Sequence, residues 1–568
     1  MFVTADMGLA IERYSETSQS SVDTRSMTTT SAGPRPSAGN HSATWASPRE
    51  PQAVAQLLGR LNWPLSVTAL EPESAPHDYC IEPWHGSAKG HLLGIIPALH
   101  PHQLGSAAFR QYHGVKYAYM SGAMAAGIGS ESIVEEMAQS GMLGIFGAAG
   151  LSPERVEQAL TRLEQNCAGK PWGANLIHSP SEPRLEAAVT DLYLRRNVRL
   201  VEASAFLDLT PNIIRYRLSG VHQRGHEIVV PNRVVAKVSR VEVATKFMSP
   251  APPKLVAHMV STGVLTEEQG RLAAYIPVAQ DVTAEADSGG HTDNRPLVSL
   301  LPSLIALRDR LQDEFKFAEP VRVGAAGGIA TPQSTAAAYL MGAAYVMVGS
   351  VHQACVESGT SDVVRKLLAE AQQADCIMAP AADMFEMGVK LQVLRRGTMF
   401  AMRAAKLHEL YRTYASVDDI PVAERQQIEK TMFQTTLDHV WQQTVEFFTK
   451  RDPRQLERAE KEPKHKMALI FRWYLGQSSR WANQGLPERR LDYQIWCGPS
   501  MGAFNEWTKG TFLAEPAARK VSTVALNLLY GAAYVQRANA LQWTGFPVHP
   551  DWQRVVPQER QTLLDLIN

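Results

Sequence analysis

Between Tyr117 and Gly349 the chain repeats one pattern: a short apolar run, a turn rich in small residues, then a longer amphipathic stretch. The runs predict strands at Tyr117–Gly122, Met142–Phe146, Trp172–Ile177, Val198–Ala203, Arg233–Val238, Ile276–Gln280 (with an extension to Ala284), Val321–Ala325 and Tyr345–Gly349. The intervening stretches predict helices. Glu131–Gln139 has Ser130 as its cap, Pro153 opens the next, helical stretches lie within Thr245–Ala274, and another helix spans Pro302–Phe315. Eight such units predict an α/β fold, a closed (β/α)8 TIM barrel over 117–360, with a doubly wound sheet as the alternative. After Ser361 the strand signal stops. Helical patterns at Ser361–Ala374, Gly388–Tyr414, Val422–Lys450, Pro463–Trp481 and Pro516–Ala540 predict a helical appendage over 361–568, either covering the barrel mouth or forming a partner surface. Residues 51–116 are mixed, with a short helix at Val54–Leu61 and a strand at Leu92–Ile96, and are expected to pack on the barrel. Residues 1–50 become Ser-, Thr-, Pro- and Gly-rich from Glu16 onward and are expected to be a disordered segment.

Composition narrows the function. Lys plus Arg equals Asp plus Glu at 56 each, which argues against a dedicated nucleic-acid binder. The five cysteines are scattered without a CxxC pair, so neither a disulfide framework nor a zinc site is expected, and no metal is assigned. Met1–Arg13 contains acids and no long apolar core, unlike a secretory signal, and no run of apolar residues is long enough to span a membrane. A soluble, cytoplasmic protein is expected.

The candidate chemistry sits at the predicted strand ends. Val321–Thr331 and Gly342–Ser350 place two small-residue turns side by side after the last two strands, where a barrel commonly binds phosphate through bare backbone N–H groups. Gly327 and Gly328 permit an approach that a Cβ would block. After strand six, Gly289 and Gly290 let backbone pass close under a flat ring and present His291 to the mouth, where it could bond a carbonyl oxygen or deliver a proton. Gly122, Ala123 and Met124 end strand one with room for a ring edge, and the Asn175 amide could pair with such an edge. Lys237 is a cation within an apolar strand and needs a partner, either a site anion or a glutamate such as Glu202. Lys390–Arg412 is basic, with Arg395, Arg403 and Lys406 spaced to share a helix face. It is read as solvated, with an acidic carrier as the alternative. Gly498–Gly502 fits the GxSxG pattern but lies outside a strand series and reads as a glycine-rich turn. No Walker lysine motif, HExxH or Rossmann GxGxxG is present.

Several motifs together resemble the flavin-dependent nitronate monooxygenase and enoyl-reductase superfamily: Met120–Met124, Trp172–Asn175, Ala236–Arg240, Ser288–His291, Gly324–Ala330 and Met347–Ser350. Ala379–Lys390 and Cys497–Asn505 are similar to the PfaD-type trans-acting enoyl reductases of polyunsaturated fatty acid and polyketide synthases. The superfamily's Glu-Ala-Gly-Gly-His is represented by Glu285–His291, with two residues inserted between Ala286 and Gly289. The resemblance implies FMN, NADPH as electron donor, and an enoyl thioester carried by an acyl carrier protein. It implies His291 as proton donor or oxyanion partner, with Lys237 stabilising reduced flavin. The implied cofactor contacts are Gly122, Ala123, Met124, Asn175, Lys237, Gly289, Gly290, Ala326, Gly327, Gly328, Val348, Gly349 and Ser350. A homodimer is left open. The rivals are nitronate oxidation with His291 as base, an inosine-monophosphate-dehydrogenase-like barrel, and a synthase scaffold whose flavin is structural. The second needs a nucleophilic cysteine after strand six, and Asp281–Arg295 has none.

Overall fold

In the computed structural model, which describes residues 46–567 apart from 48–49, 70, 72–78, 89, 179, 181–182 and 548, eight parallel strands close into a barrel. In chain order they are Tyr119–Ser121, Leu143–Phe146, Gly173–Ile177, Leu200–Ser204, Arg233–Val238, Asp281–Glu285, Arg322–Ala326 and Val346–Val348, hereafter barrel strands 1 to 8. The doubly wound alternative is therefore excluded. The helices between them start where side chains can satisfy the first free amides. Ser130, Ser152, Thr210 and Thr331 each accept the N–H three residues on, a cap typically worth about 1 kcal/mol.

Strand 6 lies later than the apolar pattern predicts. Ile276–Gln280 is not a strand, and pairing begins at Asp281, which stands level with Val235 and Arg322. Pro277 lacks the N–H a ladder needs, and the strand opens instead on a buried carboxylate that reads locally as a strand end. That carboxylate belongs to the barrel floor. Asp281 accepts two hydrogen bonds from Arg322 (2.6 and 2.9 Å) and pairs with His113 at 2.9 Å. Above it, Tyr345 crosses the barrel interior, stacks on Phe109 with centroids 4.4 Å apart, and bonds Thr283 at 2.7 Å. Gly324 makes this possible, because a Cβ there would lie 2.3 Å from the Tyr345 ring. With its lower end filled by side chains, the barrel opens only at the carboxyl ends of its strands.

The region after residue 361 is not purely helical. Cys376–Pro380 and Lys390–Leu394 form an antiparallel hairpin, and Lys390–Leu394 also pairs with Gly290–His291 after strand 6. The expected helix at Gly388–Tyr414 is thus a strand followed by a helix at Phe400–Thr413. Leu437–Arg451 and Pro463–Gln484 both contribute residues to the wall of the mouth cavity. The basic run does not make a free cationic face. Arg395 lies outside the helix, Arg403 pairs with buried Asp492, Lys406 with Glu424 and Arg396 with Asp375.

The N-terminal region has a helix at Pro51–Gly59 and a three-stranded antiparallel sheet of Leu65–Ala69, Tyr79–Pro83 and His91–Ile96. It is held by the helix Val521–Trp543. Arg537 there donates to the carbonyls of Leu58, Arg60 and Trp63, and Gly531 backs against Pro332 of the helix following strand 7. Ala46 bridges Ile81, so the edge of the segment expected to be disordered joins this sheet; residues 1–45 lie outside the described residues.

Candidate active site at the barrel mouth

The strand ends and the appendage enclose a cavity of about 1540 Å³. That exceeds the roughly 300–1,000 Å³ of an ordinary ligand site, so it has room for more than one bound molecule. All the sequence-predicted site residues line it: Gly122, Ala123, Met124, Asn175, Lys237, Gly289, Gly290, His291, Ala326, Gly327, Gly328, Val348, Gly349 and Ser350.

On one side lies the glycine cradle. Gly327 and Gly328 have φ of +83° and +75°, a region that favours glycine. A Cβ on Gly327 would lie 2.7 Å from the Ala286 carbonyl carbon, so this turn packs directly on the loop after strand 6. Gly328 and Gly349 have nothing within 4 Å of where a Cβ would stand, so their backbones are bare toward open space. Such a pair of turns fits a cofactor phosphate. The Ser350 hydroxyl accepts the N–H of Gly498 at 3.1 Å, which ties the appendage to the cradle.

Across the mouth, Lys237 on strand 5 lies 3.3 Å from Glu202 on strand 4 and 3.2 Å from Glu285 on strand 6. Burial alone would depress the ammonium, but the two carboxylates outweigh it and its pKa rises, so Lys237 is a fixed cation. Burial pushes the Glu202 carboxyl up, with Lys237 opposing. Glu202 also accepts the Ala123 N–H at 3.1 Å, which positions the turn after strand 1. Glu285 and not Asp287 reaches the cavity; Asp287 turns into the loop, where it accepts from Gln392 and Asn294 at 2.8 Å each. Asn175 donates through Nδ2 to the Glu202 carbonyl and to Ser204, both at 2.9 Å, which leaves its oxygen as the group open to a ligand. Ala126 and Ala205, also on the cavity wall, hold left-handed φ of 57° and 61°, a strain that clusters at ligand clamps.

His291 closes the ring. Its Nε2 lies 3.1 Å from Asp383, which sits in the turn of the appendage hairpin. Burial works against the imidazolium, but the bond and charge of Asp383 prevail and raise its pKa. Burial likewise opposes ionisation of Asp383, and the bond to His291 outweighs it and lowers that carboxyl. Gly289 is required for a reason the sequence did not suggest. A Cβ there would lie 2.9 Å from the Cys497 amide, so what passes close to it is the appendage backbone. Cys497–Gly498 leads into the helix Ser500–Thr508, and among the described residues no histidine or carboxylate hydrogen-bonds the Ser500 hydroxyl, so GxSxG here is a packing turn.

Sequence reasoning missed Asp383 and Gln392. Both lie in or beside Ala379–Lys390, whose motif character was the one signal that could have found them. Among the described residues no helix is long and apolar enough to cross a membrane, and no cluster of three or more His, Cys, Asp or Glu could hold a metal.

A closed barrel with a glycine cradle and a histidine facing one large cavity defines an α/β-barrel cofactor site, and similarity to known proteins makes it specific. The nitronate monooxygenase family pattern matches residues 107–436, and the chain belongs to that family. The inserted helical domain of acyl-carrier-protein S-malonyltransferase matches residues 414–493. The enoyl reductase domain of MlnA, from the macrolactin biosynthesis cluster of Bacillus amyloliquefaciens, is 38% identical with a TM-score of 0.74, covering 78% of this chain and 99% of that one. A polyunsaturated fatty acid synthase component of Thraustochytrium sp. is 47% identical over 77% of this chain and 30% of its own length. Polyketide biosynthesis protein PksE of Bacillus subtilis is 42% identical over 75% of this chain and 55% of its own. These relatives bear out the resemblance to the PfaD-type enoyl reductases. The chain spans between 22% and 55% of the length of the curated synthase relatives it matches most strongly.

Proposed function

We propose that this protein is a flavin-dependent enoyl reductase of a polyunsaturated fatty acid or polyketide synthase, acting in trans on enoyl thioesters of an acyl carrier protein. The observation that carries the reading is the single cavity in which the glycine cradle, Lys237 and His291 converge beneath the appendage. FMN fits this arrangement: the backbones of Gly327, Gly328, Gly349 and Ser350 would hold its phosphate, and Lys237 would stand by the ring edge that becomes electron-rich on reduction. Once reduced by NADPH, bound FMN would supply hydride to the β-carbon of the enoyl thioester.

The protein's own groups then have defined tasks. Glu202 and Glu285 hold the Lys237 ammonium in place, so its charge needs no reorganisation during reaction. His291 delivers a proton to the α-carbon, or holds the thioester oxygen as negative charge develops there. The cavity leaves space for the acyl chain beside Leu151, Leu185, Phe447 and Trp473. Arg184, Lys450 and Arg480 are exposed at its lining and suit the phosphate of a carrier's pantetheine arm.

Anaerobic stopped-flow tests the reading. NADPH should bleach the flavin, and a crotonyl carrier protein or crotonyl pantetheine should restore its colour. Recovery only on adding oxygen overturns enoyl reduction. The family match keeps nitronate oxidation as a second reading, which oxygen uptake with a nitroalkane, without a nicotinamide, would support.

A further inference from the structure

His291 comes from the barrel, but the group that holds it does not. Among the described residues, Asp383 is the one hydrogen-bond partner of its ring, through Nε2 at 3.1 Å, and Nδ1 has none. The geometry that delivers Asp383 is built in three steps. Gly290 and His291 stand level with Gln392 and Leu391, so the backbone that carries the imidazole is itself a strand of the appendage sheet. Lys390–Leu394 pairs on its other edge with Cys376–Pro380, and Asp383 lies in the turn between the two. That turn is anchored by Glu386, which lies 3.3 Å from Arg472 on the helix Pro463–Gln484. Gln392 holds the other side of the loop, donating to the Ser288 carbonyl and to Asp287 at 2.8 Å each.

We propose that Asp383 is the positioning residue of His291: its carboxylate accepts Nε2–H, fixes the ring plane, and leaves Nδ1 as the nitrogen that exchanges a proton with the substrate. The proton balance is simple. An imidazolium carrying both N–H bonds loses the Nδ1 proton to the substrate α-carbon, and the neutral ring keeps Nε2–H on Asp383. The two charged groups that face His291 from barrel strands, Glu285 and Lys237, carry opposite signs and oppose each other, whereas Asp383 touches the ring directly; Arg472 acts on it only through Asp383. The appendage thereby completes a site that the barrel alone lacks. This role rests on the enoyl-reductase reading, but half of its test does not.

The test uses the full-length, FMN-loaded protein and the variants Asp383→Ala, Asp383→Asn and Asp383→Glu. The first measurement is the ring-nitrogen NMR signature of His291, assigned by its loss in His291→Gln. The native protein should show the Nε2–H tautomer at high pH and a pKa above the ordinary 6.5. Asp383→Asn should lower that pKa, Asp383→Ala should mix the tautomers, and Asp383→Glu should restore both. The second is flavin reoxidation by crotonyl pantetheine. Asp383→Ala should slow it by about 10²-fold through kcat with KM nearly unchanged, and Asp383→Asn should move the alkaline limb of the rate to lower pH. An unaltered tautomer and pKa in Asp383→Ala overturn the proposal whatever the enzyme reduces. Altered tautomers in a protein that never reoxidises with enoyl thioester leave the positioning role standing and sink the reductase reading.

Discussion

The barrel carries a histidine–aspartate pair at each end, and the two behave in opposite ways. At the floor, His113 lies 2.9 Å from Asp281; at the mouth, His291 lies 3.1 Å from Asp383. Burial depresses the pKa of His113, and the neighbouring cations Arg322 and Arg233 add to that effect against the pull of Asp281. At the mouth the aspartate wins over burial, and the pKa of His291 rises. The difference is deeper burial, with the His113 side chain 1% exposed against 35% for His291, together with a third partner. Asp281 already receives a bidentate Arg322, whose guanidinium is stacked 4.2 Å over the Tyr112 ring, so its charge is largely neutralised. Asp383 has no such arginine bonded to it among the described residues and directs its charge to the imidazole. A close His–Asp contact is therefore not by itself a sign of chemistry; what else the carboxylate binds, and whether the ring meets a cavity, decides it.

This contrast can be broken at several points, and the largest effect is expected at the mouth. His291→Ala should slow flavin reoxidation by enoyl thioester by about 10²–10⁴-fold while leaving reduction by NADPH near the native rate. Stopped-flow absorbance separates the two steps, and an unchanged second step would remove His291 from the mechanism. At the floor the effect should be on stability alone. Asp281→Ala leaves buried Arg322 with only the exposed Glu319 at 3.6 Å and should cost about 3 kcal/mol in urea unfolding, with native turnover per folded, flavin-loaded molecule. Lys237→Met strips the charge from between two glutamates and should lower the flavin midpoint potential by about 30 mV, a tenfold weaker preference for the reduced form. An unmoved potential would make Lys237 purely structural.

The smallest expected effect is the most diagnostic of the comparison, because the two histidines should tilt stability in opposite directions with pH. His113 has a folded pKa below its unfolded value of 6.5, so the unfolded chain takes up the proton first and stability falls as pH drops below 6.5. His291 has a folded pKa above 6.5. Its contribution is complete below 6.5 and is lost as pH rises through the folded value. His113→Gln should flatten the fall of stability as pH drops from about 6.5 to 5, and His291→Gln should remove a loss of stability as pH rises above 6.5, each by less than about 1.4 kcal/mol per pH unit. Asp281 adds nothing in that window. Although burial alone would raise it, His113 and Arg322 hold it at about 2, so its contribution is full above 3.8 and fades only in stronger acid.

Much of this architecture is legible locally. A buried parallel strand must be a short apolar run, and a close strand-to-helix turn must be small, so Val321–Gly328 and Tyr345–Ser350 announce themselves without knowledge of their neighbours. That Lys237 needs a counter-charge was also legible, since an ammonium on an apolar strand is costly unpaired, but the sequence left that partner open between a site anion and a glutamate such as Glu202. The hairpin at 376–394 was not. Part of what stabilises Lys390–Leu394 is pairing with Gly290–His291, about a hundred residues earlier, and the alternation from Lys390 to Val393 is too short to separate a strand from the helix that follows. The same remoteness hid Asp383, which is 92 residues from His291 and lies in a turn with no periodicity.

The amino-acid order by itself thus determined the eightfold barrel, the glycine cradle, and the presence of a histidine and a lysine at strand ends, because each follows from backbone conformations and burial requirements that act over a few residues. Which carboxylates those cations meet, why Gly289 must lack a side chain, and which histidine is poised to exchange a proton were decided by the tertiary structure. Hydrogen-bonded ion pairs and close backbone contacts need atoms within about 3–4 Å of each other, and only the closed barrel with its appendage sheet brings residues so distant along the chain within that range.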